Sequence, residues 1–459
     1  MLGYFTIGIL ALVVFLTAIF RGHALLYLYA FVLPFFGIIA EVGVQVTPFL
    51  IVALGMILHL GLKQAPLVLP KALMPFIIYA IGFSVIMSFF LPSEIYQYPP
   101  LRGQWRWVSQ IIVFLLLMTP VFFVMNVQPN REQLIKAISW FLMAMVCICL
   151  TGFVQIFVFK LTGTDLFPIN MFTNEVVKDE LRSALARISS NEKVLRMTGF
   201  GAGEPKHFGY SCSIAFILNL LCGMYFPLIG FRKLLLRFCL GAIFLAGVLL
   251  SLSTQAYFVL GISVFLLTVI VFFKYGVKSR KFIVLVTLCV SGTMVILVND
   301  YSRRLVELRI FERLEETGAV EDFNQTIYTF LKHNPSYMIW GTGMGNVHFW
   351  ANEYIPKEFR YYMSNSIFVA KAGFLRLVSE LGFFGLLLFS TAFIMLGWRI
   401  RQNLRLHYAP EGELVLMFLI LVIINYFVTS DASPYYIFSI ALAFLYLQTT
   451  RPLKHGTLR

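Results

Sequence analysis

Apolar runs of about 20 residues, the length a helix needs to cross the hydrocarbon of a bilayer, recur along this chain. The first is residues 2–20, LGYFTIGILALVVFLTAIF. Backbone polar groups in lipid must be satisfied within the chain itself, so such runs fold as helices. Further spans are expected near residues 24–39, 47–62, 72–91, 108–126, 136–159, 208–230, 238–252, 256–273, 282–298, 373–397, 413–429 and 434–449. The expected fold is all-α, a polytopic membrane helix bundle of about 12–13 spans forming one integral membrane domain over residues 1–459. The lower number applies if 238–273 is one broken helix or the first two runs form a hairpin. The first run lacks a basic N-terminal region and a small-residue cleavage site, so it reads as a span rather than a signal peptide.

Only 13% of the residues are charged, and their placement is uneven. Under strict alternation of spans, half of the 36 basic residues fall in short loops on one side, among them Arg21, Lys63, Lys71, Arg131, Lys136, Lys274 and Arg399. The short loops on the other side hold only Arg102 and Arg106. Lys and Arg collect in cytoplasmic loops, so the basic side, with the C-terminus, is expected to be cytoplasmic. The net charge of +14 is then a topology signal and implies no nucleic acid partner. The six cysteines, Cys147, Cys149, Cys212, Cys222, Cys239 and Cys289, all fall in expected spans. They read as small core residues rather than a disulfide framework.

Two long polar segments, residues 160–207 and 299–372, interrupt the spans and are expected to face outward. Short amphipathic helices at the membrane surface are expected over residues 175–195, 301–316 and 320–331, with Pro335 ending the last. Chemistry-bearing residues gather at the ends of these segments. Three glycines in Arg196-Met-Thr-Gly-Phe-Gly-Ala-Gly-Glu204-Pro-Lys-His207 permit backbone turns that would deliver Glu204 and His207 to the mouth of the next span. A carboxylate and an imidazole there are candidates for a general base, as is His348 in Gly341-Thr-Gly-Met-Gly-Asn-Val-His348. That second glycine run lacks a strand–turn–helix setting and is no dinucleotide fingerprint.

Arg376 and Glu380, four apart near the outer end of a span, share a helix face, and charges at membrane depth commonly serve a partner or a site. Arg106, Arg196, Arg303 and Arg304 also belong to the outer side, where planar guanidinium groups match phosphate oxygens. Asn365 lies in Ser364-Asn-Ser366, just before the late span. No spacing suggests a metal site, and no cofactor is expected.

The order of these features resembles the superfamily of O-antigen polymerases and O-antigen ligases. The similarity rests on the span number and on a large outer loop running from residues 304–331 into His333-Asn-Pro335 and Gly341-Thr-Gly-Met-Gly345-Asn. It extends to the span opening with Leu375-Arg-Leu-Val-Ser-Glu380-Leu-Gly382-Phe-Phe-Gly385, and to the earlier Gly-Phe-Gly-Ala-Gly-Glu204-Pro205. The resemblance implies glycosyl transfer at the periplasmic face of the bacterial inner membrane, using undecaprenyl-diphosphate-linked oligosaccharides without metal. Partners would include the lipid bilayer, a chain-length regulator and a flippase.

The chain departs from the family pattern in carrying Ser364-Asn365 where ligases place His-Asn, and Gln255 where many members have arginine. Polymerisation of repeat units is therefore favoured over ligation of finished glycan to a lipid A core. A transporter or lipid-linked sugar flippase is the alternative of another class; no internal repeat speaks for it.

Overall fold

The apolar runs fold as helices whose ends coincide with the polar residues. The computed structural model describes residues 2–35, 37–41, 45–63, 67–91, 106–127, 130–167, 188–189, 194–226, 231–287, 290, 319–355, 370, 372–429 and 433–449. In chain order α1 (Leu2–Phe20) and the short α2 (Ala24–Val32) precede the strand pair β1 (Ala40–Glu41) and β2 (Gln45–Val46). Next come α3 (Pro48–Lys63), α4 (Met74–Ser88), α5 (Arg106–Asn126) and α6 (Arg131–Thr162). A second pair, β3 (Ile188–Ser189) and β4 (Val194–Leu195), leads to α7 (Pro205–Tyr225), α8 (Phe231–Ser251) and α9 (Thr254–Tyr275).

The second polar segment contributes α10 (Ala319–His333), α11 (Pro335–Trp340) and α12 (Val347–Trp350). The bundle closes with α13 (Gly373–Leu406), α14 (Pro410–Val428) and α15 (Ser433–Thr449).

Eight helices among the described residues, α1, α5 to α9, α13 and α14, are long and apolar enough to cross a membrane. This is an all-α, multi-pass architecture. Of the remaining expected spans, that at 282–298 lies largely outside the described residues, and the other four are shorter. Apolar helix α2 covers 9 residues of the run at 24–39, because Pro34 lacks the N–H that would continue the ladder. Helices α3, α4 and α15 have 16, 15 and 17 residues. Residues 238–273 form two helices rather than one broken one: Leu252 is left-handed (φ 49°), and the Ser253 side chain accepts from Ala256 N to cap α9.

The surface helices are borne out in part. Helix α10 covers the amphipathic stretch at 320–331, and Pro335 opens α11 as well as closing off α10. The C-terminal part of the stretch at 175–195 is not helical: Ile188 pairs with Leu195 and Ser189 with Val194 in an antiparallel ladder. The Ser-Ser-Asn composition there favours a turn over a helix. The rest of that stretch, and residues 301–316, lie outside the described residues.

Contacts sort the helix ends into two poles. Arg131 at the start of α6 pairs with Glu411 at the start of α14, and Lys274 at the end of α9 pairs with Glu413 (2.7 Å). Gln448 at the end of α15 donates to Met125 O near the end of α5 (3.1 Å), and Asn126 bonds the backbone of Val68 ahead of α4. Gly412 packs against Tyr446 and Leu404, which joins these sets into one basic pole. The glycine-rich loops, Arg196 and Arg376 lie at the opposite pole.

Helix α7 is buried along nearly its whole length and packs on α6, α8, α9 and α14. Large apolar side chains on the outer helices, including Phe20, Phe89, Phe238 and Phe273, are exposed, as befits surfaces solvated by lipid. Two described cysteines depart from the core reading: Cys147 and Cys239 are exposed, whereas Cys149 and Cys212 are buried free thiols with sulfurs 3.6 Å apart.

Candidate functional site

The loop at 196–204 threads between helices, and its polar backbone therefore needs partners inside the bundle. Gln155 on α6 supplies most of them. Its Oε1 accepts from Thr198 N (3.1 Å) and Gly199 N (3.0 Å), while its Nε2 donates to Asp165 Oδ1 (2.7 Å). Thr151 accepts from Phe200 N, and Gly37 N donates to Gly201 O (2.8 Å). Gly199, Gly201 and Gly203 are all left-handed, and a Cβ on Gly199 would lie 2.4 Å from Ile148 O. These glycines let the loop pass against α6.

Arg196 is buried within this arrangement. Its Nε donates to Ser251 O (3.2 Å), and Met197 N donates to Leu250 O (2.9 Å). A cation at these carbonyls complements the negative end of α8, so Arg196 clamps the α8–α9 turn. The loop ends at Glu204, in the N-cap position of α7, with Pro205 at the first helical position. Glu204 is exposed and pairs with Lys206 (3.1 Å); His207, half-buried, follows in the same first turn.

A second construction surrounds α13. Gly382 breaks this helix with φ 70° and ψ 178°, and the glycine run at 341–345 docks into the break. Thr342 N donates to Ser379 O (3.0 Å), Gly343 N to Glu380 O (2.8 Å), and Met344 N to Ser84 Oγ on α4 (2.8 Å). Tyr79 donates to Trp340 O and Leu381 O across the same junction. The second glycine run is thus a latch on a broken membrane helix. Helices α10 to α12 form a cap over it with an apolar cluster of their own, centred on Ile327, Phe330, Leu331, Val347 and Val378. Tyr337 stacks on Phe330 in this cap, and burial pushes its phenol above the usual range. His348 is fully buried in the cap rather than presented at the mouth of a span.

Arg376 and Glu380 stand on the first part of α13, before the break and at the pole opposite the basic one, with Nε and Oε1 3.3 Å apart. The Arg376 side chain is 30% exposed and that of Glu380 11%. Tyr426 at the end of α14 and Tyr436 at the start of α15 are within electrostatic reach of the guanidinium, and their rings are 4.5 Å apart. The polar belt continues from there. Tyr435, next in the chain, bonds Ser211 on α7, and Ser211 Oγ also donates to His207 O (2.7 Å). Gln255 at the start of α9 bonds Thr429 beyond α14. Ser211 thereby ties α15 to the turn that bears Glu204 and His207.

The structure pairs Arg376 with Glu380, sets Glu204 and His207 together at the start of α7, and assigns Arg196 to a helix end and His348 to the cap interior. Arg303, Arg304 and Asn365 lie outside the described residues; Arg106 opens α5, and its side chain lies outside them as well. Tyr426, Tyr435, Tyr436, Ser211 and Gln155 escaped the sequence reading. The only signal for the tyrosine pair was Ser433-Pro-Tyr-Tyr436, an aromatic doublet opening the last apolar run. Comparison with family models and with curated proteins gives no match for this chain.

Proposed function

We propose that the chain is a glycosyltransferase that polymerises undecaprenyl-diphosphate-linked oligosaccharide repeat units at the periplasmic face of a bacterial inner membrane. The observation that carries this reading is Arg376, partly exposed on a broken membrane helix at the pole opposite the basic loops. By the bias of Lys and Arg towards cytoplasmic loops, that pole faces outward. A permanent cation kept at such a position is costly, and a diphosphate leaving group is the kind of partner that offsets the cost.

In this reaction an acceptor hydroxyl attacks the anomeric carbon of the donor sugar. The carbon–oxygen bond to the diphosphate breaks, and undecaprenyl diphosphate departs with the electron pair. Arg376, aligned by Glu380, stabilises the charge that develops on the phosphate oxygens. Tyr426 and Tyr436 offer phenol donors beside it for phosphate or sugar oxygens. The hydroxyl proton passes to Glu204 or His207, whose turn Ser211 ties to α15. Arg196 acts at a distance, holding the α8–α9 turn.

The test is reconstitution with lipid-diphosphate-linked repeat units. Wild-type protein is expected to form a ladder of polymer, and R376A none at equal protein amount. A full ladder from R376A would remove Arg376 from the mechanism, and a single transfer requiring a lipid A core would make the protein a ligase. The break in α13 also suits a transporter, whose sites often lie at discontinuous helices. Movement of the lipid-linked sugar across the vesicle membrane without a new glycosidic bond would favour that reading.

A further inference from the structure

The first part of α13, residues 373–381, is about two and a half turns long, since Gly382 ends it. A helix so short is marginal without partners outside itself, and its end leaves carbonyls without bonds inside the helix. Yet this piece carries Arg376 and Glu380, whose pairing needs both side chains held in place.

The cap grips it at both ends. At the start, Ala372 N donates to Asn324 Oδ1 of α10 (3.2 Å). At the finish, Thr342 donates twice to Ser379 O, from its backbone N (3.0 Å) and from its hydroxyl (2.9 Å), and Gly343 N donates to Glu380 O (2.8 Å). Ser379 in turn donates from Oγ to Arg376 O (3.0 Å). Gly341 lies against the same turn: a Cβ there would fall 2.5 Å from Glu380 O. Thr342 and Ser379 are fully buried, so bulk water does not compete for these bonds.

We propose that Asn324 and Thr342 are positioning residues for Arg376: through them the cap sets the place of the half-helix, and so of the guanidinium that meets the diphosphate. The inference rests on the role proposed for Arg376 and adds that the cap is required for it. Glu380 transmits the grip, because its backbone is bonded to the cap and its carboxylate to the guanidinium. A misplacement of about 1 Å at a reacting centre costs on the order of a hundredfold in rate, so a loosened half-helix is felt in activity before it is felt in the fold.

The experiment is a double-mutant cycle read by affinity for farnesyl diphosphate, a soluble probe of the leaving group, titrated calorimetrically into the full-length protein in detergent. Polymer formation and the melting midpoint are followed alongside. T342V keeps the shape of the side chain and the backbone donor but loses the hydroxyl, whereas T342S keeps the hydroxyl. N324L loses the acceptor at the other end, and N324D keeps it. T342V and N324L are each expected to weaken the probe about tenfold, roughly the effect of one charge-assisted hydrogen bond, and to slow polymer formation by at least as much. T342S and N324D are expected to stay close to the parent. R376K weakens the probe too, and T342V weakens it no further in that background.

A loss from T342V that persists undiminished in R376K would show that Thr342 does not act through Arg376; it would overturn the inference and leave the polymerase reading intact. So would parental affinity in both T342V and N324L. A parent that neither binds the probe nor forms a ladder removes the polymerase reading itself, and the inference with it. The two variants act at opposite ends of the half-helix, so N324L carries the test where T342V gives no folded protein.

Discussion

Replacing Gly382 with alanine tests whether the latch on α13 holds the pole around Arg376 together. At φ 70° and ψ 178° the residue occupies a region essentially restricted to glycine, and an L side chain there costs about 1–3 kcal/mol. The added Cβ would also lie 2.2 Å from Ile339 O and 2.4 Å from the Trp340 carbonyl carbon. These are backbone atoms, so no rotamer change relieves the clash, and the segment at 339–343 must withdraw. Withdrawal endangers the bonds from Thr342 N and Gly343 N to α13 and both bonds of the Tyr79 hydroxyl. At about 1 kcal/mol each, added to the backbone strain, the total destabilisation is roughly 5–7 kcal/mol.

The assay is the apparent melting midpoint of detergent-purified protein at a fixed heating rate, since unfolding of a chain of this kind is commonly irreversible. Gly397→Ala on the same helix is the control: its Cβ would meet only Leu416, at 3.6 Å, and alanine is the better helix former. G397A is expected to match or exceed the parent, and G382A to fall several degrees below it. Equal midpoints for the two variants would refute the latch.

Three further outcomes are expected. Arg376→Lys should cut polymer sharply with a near-parental melting midpoint, because a cation still faces the buried Glu380 carboxylate, whereas Arg196→Ala should lower both, because Arg196 bonds the end of α8; a normal midpoint in R196A would contradict the clamp. Gln155→Leu strands two buried backbone donors, Thr198 N and Gly199 N, and should cost about 2–4 kcal/mol, read as a lower midpoint and poor yield; wild-type behaviour would contradict that role. Tyr435→Phe removes one buried hydroxyl contact with Ser211 and should cost only about 1 kcal/mol, so loss of activity without loss of stability would mark the belt as functional.

The helix ends were largely legible in the sequence, because a membrane span is a one-dimensional requirement of length and apolarity. Helices α7 and α8 each begin within a few residues of a charged or proline-bearing segment visible in the sequence. The bias of basic residues also anticipated one pole, which the Arg131–Glu411 and Lys274–Glu413 pairs then brought together. The pairing of Arg376 with Glu380 followed from their spacing of four, since residues so spaced share a helix face.

The roles of the glycine runs were not legible. Both read as glycine turns near candidate bases, yet one is a buried loop organised by Gln155, and the other fills a break in a helix some 40 residues later in the chain. Loop and break meet only because α11 and α13 pack together, and such a contact leaves no periodicity in either segment. The tyrosines around Arg376 come from two other helices, and an apolar run with a phenol looks like any other apolar run. What a residue type and its spacing can encode, the chain determined alone: which segments are helices and where charge gathers. Which carbonyls Arg196 would meet, and which phenols would stand beside Arg376, depended on the packing of distant helices, where each buried polar group is bound by whatever partner the fold brings within reach.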